Sequence, residues 1–203
     1  SETEKGDGFA SKDQILGFEV TSLIKMKRDQ LILEDITLNV EDSSLPQFIK
    51  GRSQLTWKER PTLDVVLSSK WINLDPLLAR NAQTLPASPL ELVPGLTKSF
   101  IKALPQETDF KFEVSIDQLE FNKQKASSLH VLLEKEEDSV EIKEAKAEFP
   151  GASQWSLKGE LKAEKEGLKT FFGDMRLEGQ SLTQFSDWIL GSAGSSSNKS
   201  SLV

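Results

Sequence analysis

The chain has 203 residues, with 25 Lys and Arg against 32 Asp and Glu, and a net charge of −7. That balance disfavours generic binding to nucleic acid or to anionic membrane surfaces, because both need a basic stripe. The absence of cysteine excludes disulfides, thiolate metal sites and thiol catalysis, and hydrophobic residues at 37% fall below the usual share of about 45–50% (a range that counts Gly as well), which suits sheets with one apolar face.

Residues 1–14 read as a flexible, polar N-terminal segment without a signal peptide. From Leu16 the pattern alternates. Leu16, Phe18, Val20, Ile24 and Met26 share one face of a half-buried strand. A turn at Lys27–Gln30 leads to a second strand, with Ile32, Ile36, Leu38 and Val40 on one side. Strands follow at 49–58 and 62–72, joined by a turn at Pro61. A helix is expected at 74–82, where Asp75 offers a cap and Pro76 fits the first turn. A second helix is expected at 92–104, from the stripe Leu92, Leu96, Phe100 and Leu104.

The second half opens on the clearest strand. Phe110, Phe112, Val114 and Ile116 alternate with charge; the phase slips at Asp117–Gln118 and resumes at Leu119 and Phe121, as a bulge or turn-over would produce. Strands are expected at 127–134, 138–148, 153–164 and 170–179. Ser181-Leu-Thr-Gln184 resembles a capping box before a helix at 182–190, and residues 191–203 form a flexible Gly/Ser-rich tail. The chain lacks an initiator Met and reads as a fragment of a longer protein.

The expected fold is mainly β with a few helices, an antiparallel sheet built from two related β units at 15–105 and 106–190. A strand–strand–helix pattern starts at Gly51 and again at Gly159. Leu74 and Leu182 follow these glycines at the same distance, 23 residues. Phe-Glu-Val at 18–20 and 112–114 suggests an equivalent first strand in each unit, and an extra hairpin arm near 134–148 absorbs the surplus length of the second.

Catalytic patterns are missing from the sequence. His130 is the sole histidine and lies opposite Leu129 and Val131, on the polar side of a strand. No Gly-x-Ser-x-Gly, phosphate loop or calcium loop is present. Neither an enzyme, a cofactor nor a metal site is expected. The 11 Phe and 4 Trp follow the apolar faces, where they serve as core or meet a hydrophobic ligand.

Several stretches resemble the AsmA-like family of Gram-negative envelope proteins: Phe110-Lys-Phe-Glu-Val-Ser-Ile-Asp-Gln-Leu-Glu-Phe121, the strand closing in Phe149-Pro-Gly151, Trp155-Ser-Leu-Lys-Gly-Glu-Leu161, and Gly51 through Pro61 to Leu74-Asp-Pro-Leu-Leu78. The resemblance covers about residues 15–190. It implies a curved sheet forming a half-open groove with an apolar inner face. It also implies a periplasmic location, a parent chain anchored in the inner membrane, and a role in outer-membrane biogenesis or phospholipid transfer. The groove would then be lined by Phe18, Val20, Ile24, Phe110, Phe112, Val114 and Ile116, with phospholipid acyl chains as partners. A structural scaffold or protein-docking module of the periplasm, with no lipid cargo, is the alternative.

Overall fold

The computed structural model describes residues 17–41, 46–79, 88–89, 107–137, 139–163 and 169–191. Ten strands form a single open, curved sheet that does not close on itself. In chain order the strands are β1 (Gly17–Lys27), β2 (Gln30–Glu41), β3 (Gln47–Trp57), β4 (Pro61–Ser69), β5 (Ile72–Asn73), β6 (Asp109–Phe121), β7 (Gln124–Glu136), β8 (Ser139–Phe149), β9 (Ser153–Ala163) and β10 (Lys169–Glu178). Helix α1 (Leu74–Ala79) follows β5, and α2 (Leu182–Ile189) follows β10. The expected helix at 92–104 lies outside the described residues, as do the N-terminal segment and the tail beyond Gly191.

Spatial order follows chain order, with the short β5 beside β6 at the end of β4. Neighbours pair antiparallel except at one seam. β4 and β6 run parallel, with Leu63 beside Phe110, Val65 beside Phe112 and Leu67 beside Val114. The sheet is therefore mixed, which corrects the all-antiparallel expectation. A parallel join needs a crossover of roughly a dozen residues or more, and residues 74–108 supply it between β5 and β6.

The doubled pattern is present as architecture. Gly51 lies in β3 and Gly159 in β9; each strand is followed by one long strand and then a helix, and those helices begin at Leu74 and Leu182. The units differ by one complete strand. Two strands precede β3, whereas three precede β9. Counting back from the glycine, β1 corresponds to β7, not to β6. The shared Phe-Glu-Val therefore sits on strands that are not equivalent.

Local chemistry sets the ends. Asn122 and Lys123 both have positive φ (51° and 61°), the geometry of a tight two-residue hairpin. The Asp75 carboxylate accepts hydrogen bonds from both of their N–H groups, at 2.7 and 3.3 Å. Asp75 thus ties α1 to the β6–β7 turn, and the capping acceptor is Asn73 Oδ1, which takes the Asp75 N–H at 3.0 Å. Ser181 caps α2 as expected, its hydroxyl accepting from Gln184 N at 3.3 Å. Phe185 and Trp188 of α2 stack on Phe149, with ring centroids 5.8 and 4.7 Å away. Removing the cap with Ser181→Ala should cost about 1 kcal/mol. Tryptophan fluorescence, to which Trp188 on α2 contributes, should shift red at a lower denaturant concentration than in the parent chain.

Candidate functional site: one apolar face across ten strands

Side chains alternate along a strand, and residues paired across the ladder share a face. Following the register from β1 to β10 traces a single apolar surface. Phe18, Val20, Ile24 and Met26 pair with Val40, Leu38, Leu33 and Leu31. Those lie beside Gln47, Ile49, Ser53 and Leu55 of β3, and Leu55 and Ser53 lie beside Leu63 and Val65 of β4. Across the parallel seam the face continues through Phe112 and Val114 to Leu133 and Val131. It then runs through Ile142 and Ala145 to Gly159 and Leu157, and ends on Gly173 and Met175. The opposite face carries Lys50, Arg52, Asp64, Lys111, Glu134, Glu141, Lys158 and Glu160.

Bulges keep this face in phase. Asp35, with φ 52°, is one extra residue in β2 relative to both neighbours. Leu33 and Leu31 therefore face the apolar side and Ile32 does not, which corrects the placement expected for Ile32. In β8 the extra residue falls between Ile142 and Ala145. Asp117 and Ser128 face one another across β6 and β7, and that pair is missing from the ladder. Ser128 has φ 54°. Beyond it the Ser127 hydroxyl bonds Glu148 on the charged face, at 3.1 Å, while Ala126 is buried beside Leu119. The phase slip expected at Asp117 is this paired irregularity.

All seven groove candidates project from the apolar face, in two groups. Phe18, Val20 and Ile24 of β1 are 70%, 59% and 64% exposed. Phe110 and Ile116 of β6 are buried, and Phe112 and Val114 are half-buried. Three strands separate the groups, so the surface between them is supplied by Leu33, Leu55, Leu63 and Val65. Burial is deepest at the end where the helices pack, at Val40, Gln47, Ile72, Phe121, Ala126, Ala147, Ser153 and Trp188.

Glycines on this face, Gly51 and Gly159 among them, are crowded by neighbouring backbone. A Cβ on Gly51 would lie 2.0 Å from the Val66 carbonyl oxygen, and one on Gly159 would lie 2.5 Å from the Phe172 carbonyl oxygen.

The charged face also carries concave space among the described residues. A depression of ≈ 820 Å³ is lined chiefly by charged side chains, among them Arg60, Lys111, Glu134, Glu141 and Lys143. Glu134 stands directly opposite Glu141. Lys143 offsets that like-charge pair, with Nζ 2.6 Å from Glu141 and 3.5 Å from Glu134, and Lys111 reaches Glu134 at 3.1 Å. The hydrogen bond from Lys111, helped by Lys143, holds the Glu134 carboxyl below its ordinary value of 4.5. Lys146 does the same for Glu144, and the Glu141 carboxylate raises Lys143. A carboxylate depressed by folding contributes stability above its unfolded pKa and loses it as pH falls through the folded value. We therefore expect a loss of stability setting in below about pH 4.5. Partial exposure limits the Glu134 share to about 1 kcal/mol or less. Chemical denaturation should show Glu134→Gln weaker than the parent at pH 7, with the difference shrinking as pH falls below about 4.5.

His130 occupies the charged face, as expected. Its Nδ1 lies 3.0 Å from the Ser115 hydroxyl and its Nε2 lies 3.4 Å from Glu144. This Ser–His–Glu line spans β6, β7 and β8, and three such distant residues carry no sequence signature. Ser115 has ladder partners on both sides, Ser68 and His130. The triplet joins three neighbouring strands on the charged face. Among the described residues no cluster of three or more His, Asp or Glu could hold a metal ion, and no helix is long and apolar enough to cross a membrane. No protein-family model, curated protein or solved structure matches the chain.

Proposed function

We propose that the chain is a non-enzymatic module of a Gram-negative cell envelope, of AsmA-like type, whose apolar face shelters phospholipid acyl chains during outer-membrane biogenesis. The observation that carries this reading is the mainly apolar surface that runs from Phe18 to Met175, on a sheet whose other side carries most of the charge. A one-sided sheet of this kind needs an apolar partner. Each methylene moved from water onto such a surface is worth about 0.8 kcal/mol, so two acyl chains are held without a reactive side chain. The periplasm is the compartment this role requires, with the parent chain anchored in the inner membrane. Under the competing reading, a rigid periplasmic spacer, the cross-strand ion pairs of the charged face serve to stiffen the sheet and the apolar face is covered by protein.

Native mass spectrometry of the chain purified without detergent tests the proposal. We expect a population carrying one or more phospholipids that is released by organic extraction. A lipid-free mass, together with failure to take up phospholipid from vesicles, would count against lipid sheltering and favour the spacer.

A further inference from the structure

Among the described residues, the two outermost strands hold most of the exposed apolar bulk. Of the thirteen large hydrophobic side chains exposed among the described residues, nine lie on β1 and β10: Phe18, Val20, Leu23, Ile24 and Met26 on one, and Phe171, Phe172, Met175 and Leu177 on the other. No strand among the described residues pairs with the outer edge of either. Unpaired, apolar edges are templates for pairing with another chain, and edges kept free are usually blunted by Pro, bulges or inward-facing charge.

We propose that β10 of one copy of this chain pairs with β1 of a second copy, head to tail, extending the sheet. The strand directions permit it. Because of the single parallel seam, β1 and β10 run antiparallel to one another. A second copy set beside the first in the same orientation therefore brings β1 against β10 as an antiparallel pair, and the two apolar faces join without a step. Keeping apolar residues on the shared face restricts the register to shifts of two. With Val20 opposite Met175, Phe18 meets Leu177 on the apolar side and Glu19 meets Arg176 on the charged side. A shift of two either way sets Glu19 against Glu178 or Asp174, and like charges directly opposite destabilise a pair. A twofold contact between two β1 strands would also be charge-matched, with Glu19 opposite Lys25. It leaves the four large apolar side chains of β10 in water; Lys25 and Arg176 each already hold a carboxylate, Glu34 and Glu178, so charge alone does not choose between the two contacts. The head-to-tail contact covers both edges. Being heterologous, it propagates instead of closing as a dimer.

The chain has no cysteine, so single substitutions report the register directly. In a glutathione buffer, a mixture of Val20→Cys and Met175→Cys proteins should form a disulfide dimer that neither forms alone. The Val20→Cys/Met175→Cys double variant should form a ladder of dimers, trimers and longer species. Glu19→Arg should weaken self-association in sedimentation about fivefold, Arg176→Glu likewise, and the two together should restore it. All four positions are exposed on outer strands, so these variants keep the fold. A chain that stays monomeric at millimolar concentration, or a disulfide dimer formed by Val20→Cys alone, overturns the pairing.

Discussion

Gly51→Val and Gly159→Val should each lower the stability of the sheet by about 3 kcal/mol, near the upper end of what overpacking usually costs. A Cβ at Gly51 falls 2.0 Å from the carbonyl oxygen of Val66 and 2.8 Å from a methyl group of Leu67. Backbone cannot swing aside as a flexible side chain can, so β3 and β4 must separate and lose ladder hydrogen bonds. At Gly159 a Cβ meets the Phe172 carbonyl oxygen and the Phe171 ring, both at 2.5 Å. Ser53→Val is the control. Ser53 lies on the same strand and face as Gly51, between Leu33 and Val65, where an added methyl extends the apolar surface. Urea unfolding should show a clear drop in midpoint for the two glycine variants and a small change for Ser53→Val. Equal effects at all three positions would mean that β-propensity, and not close backbone approach, explains the glycines.

Val65→Glu should reduce phospholipid uptake roughly a hundredfold. Val65 stands in the middle of the apolar face, beside Phe112 and Ser53. A carboxylate placed among acyl chains costs about 3 kcal/mol, on the order of a hundredfold in affinity. Val66 is its neighbour in sequence and lies on the opposite face, between Arg52 and Glu113. Val66→Glu should therefore leave uptake unchanged, and comparing the two separates a loss of binding from a general loss of structure. Circular dichroism of both variants, read beside fluorescent-phospholipid transfer from vesicles, makes the measurement.

Alternation made the strands legible, most of all where Phe110, Phe112, Val114 and Ile116 leave one reading open. Helix starts were legible too. Asn73 and Ser181 precede Leu74 and Leu182, and side-chain caps of that kind are encoded locally. What escaped were features fixed by tertiary context. Asp35 takes a positive φ in mid-strand without being a glycine, so nothing in the sequence marks the bulge that turns Ile32 away from Leu33. Asp75 looks like a cap, yet its carboxylate serves a hairpin 47 residues further on. The parallel seam is a matter of relative strand direction, and strand patterns alone carry no direction. The same limit produced the false pairing of Phe18-Glu-Val20 with Phe112-Glu-Val114, because a short motif repeats more easily than a strand count. For the candidate surface, polarity was readable one strand at a time. Its continuity across β1 to β10 emerges only once the register and the bulges are known.

Site-specific photocrosslinking at Val65 and Val66 tests most directly whether the apolar face holds lipid. The two positions are adjacent in β4 and project from opposite faces of the sheet. With a photoreactive side chain introduced at each position in turn and the cells irradiated before lysis, phospholipid should be joined to the chain at Val65 and absent at Val66. Equal capture at both positions, or capture at Val66 alone, would contradict it.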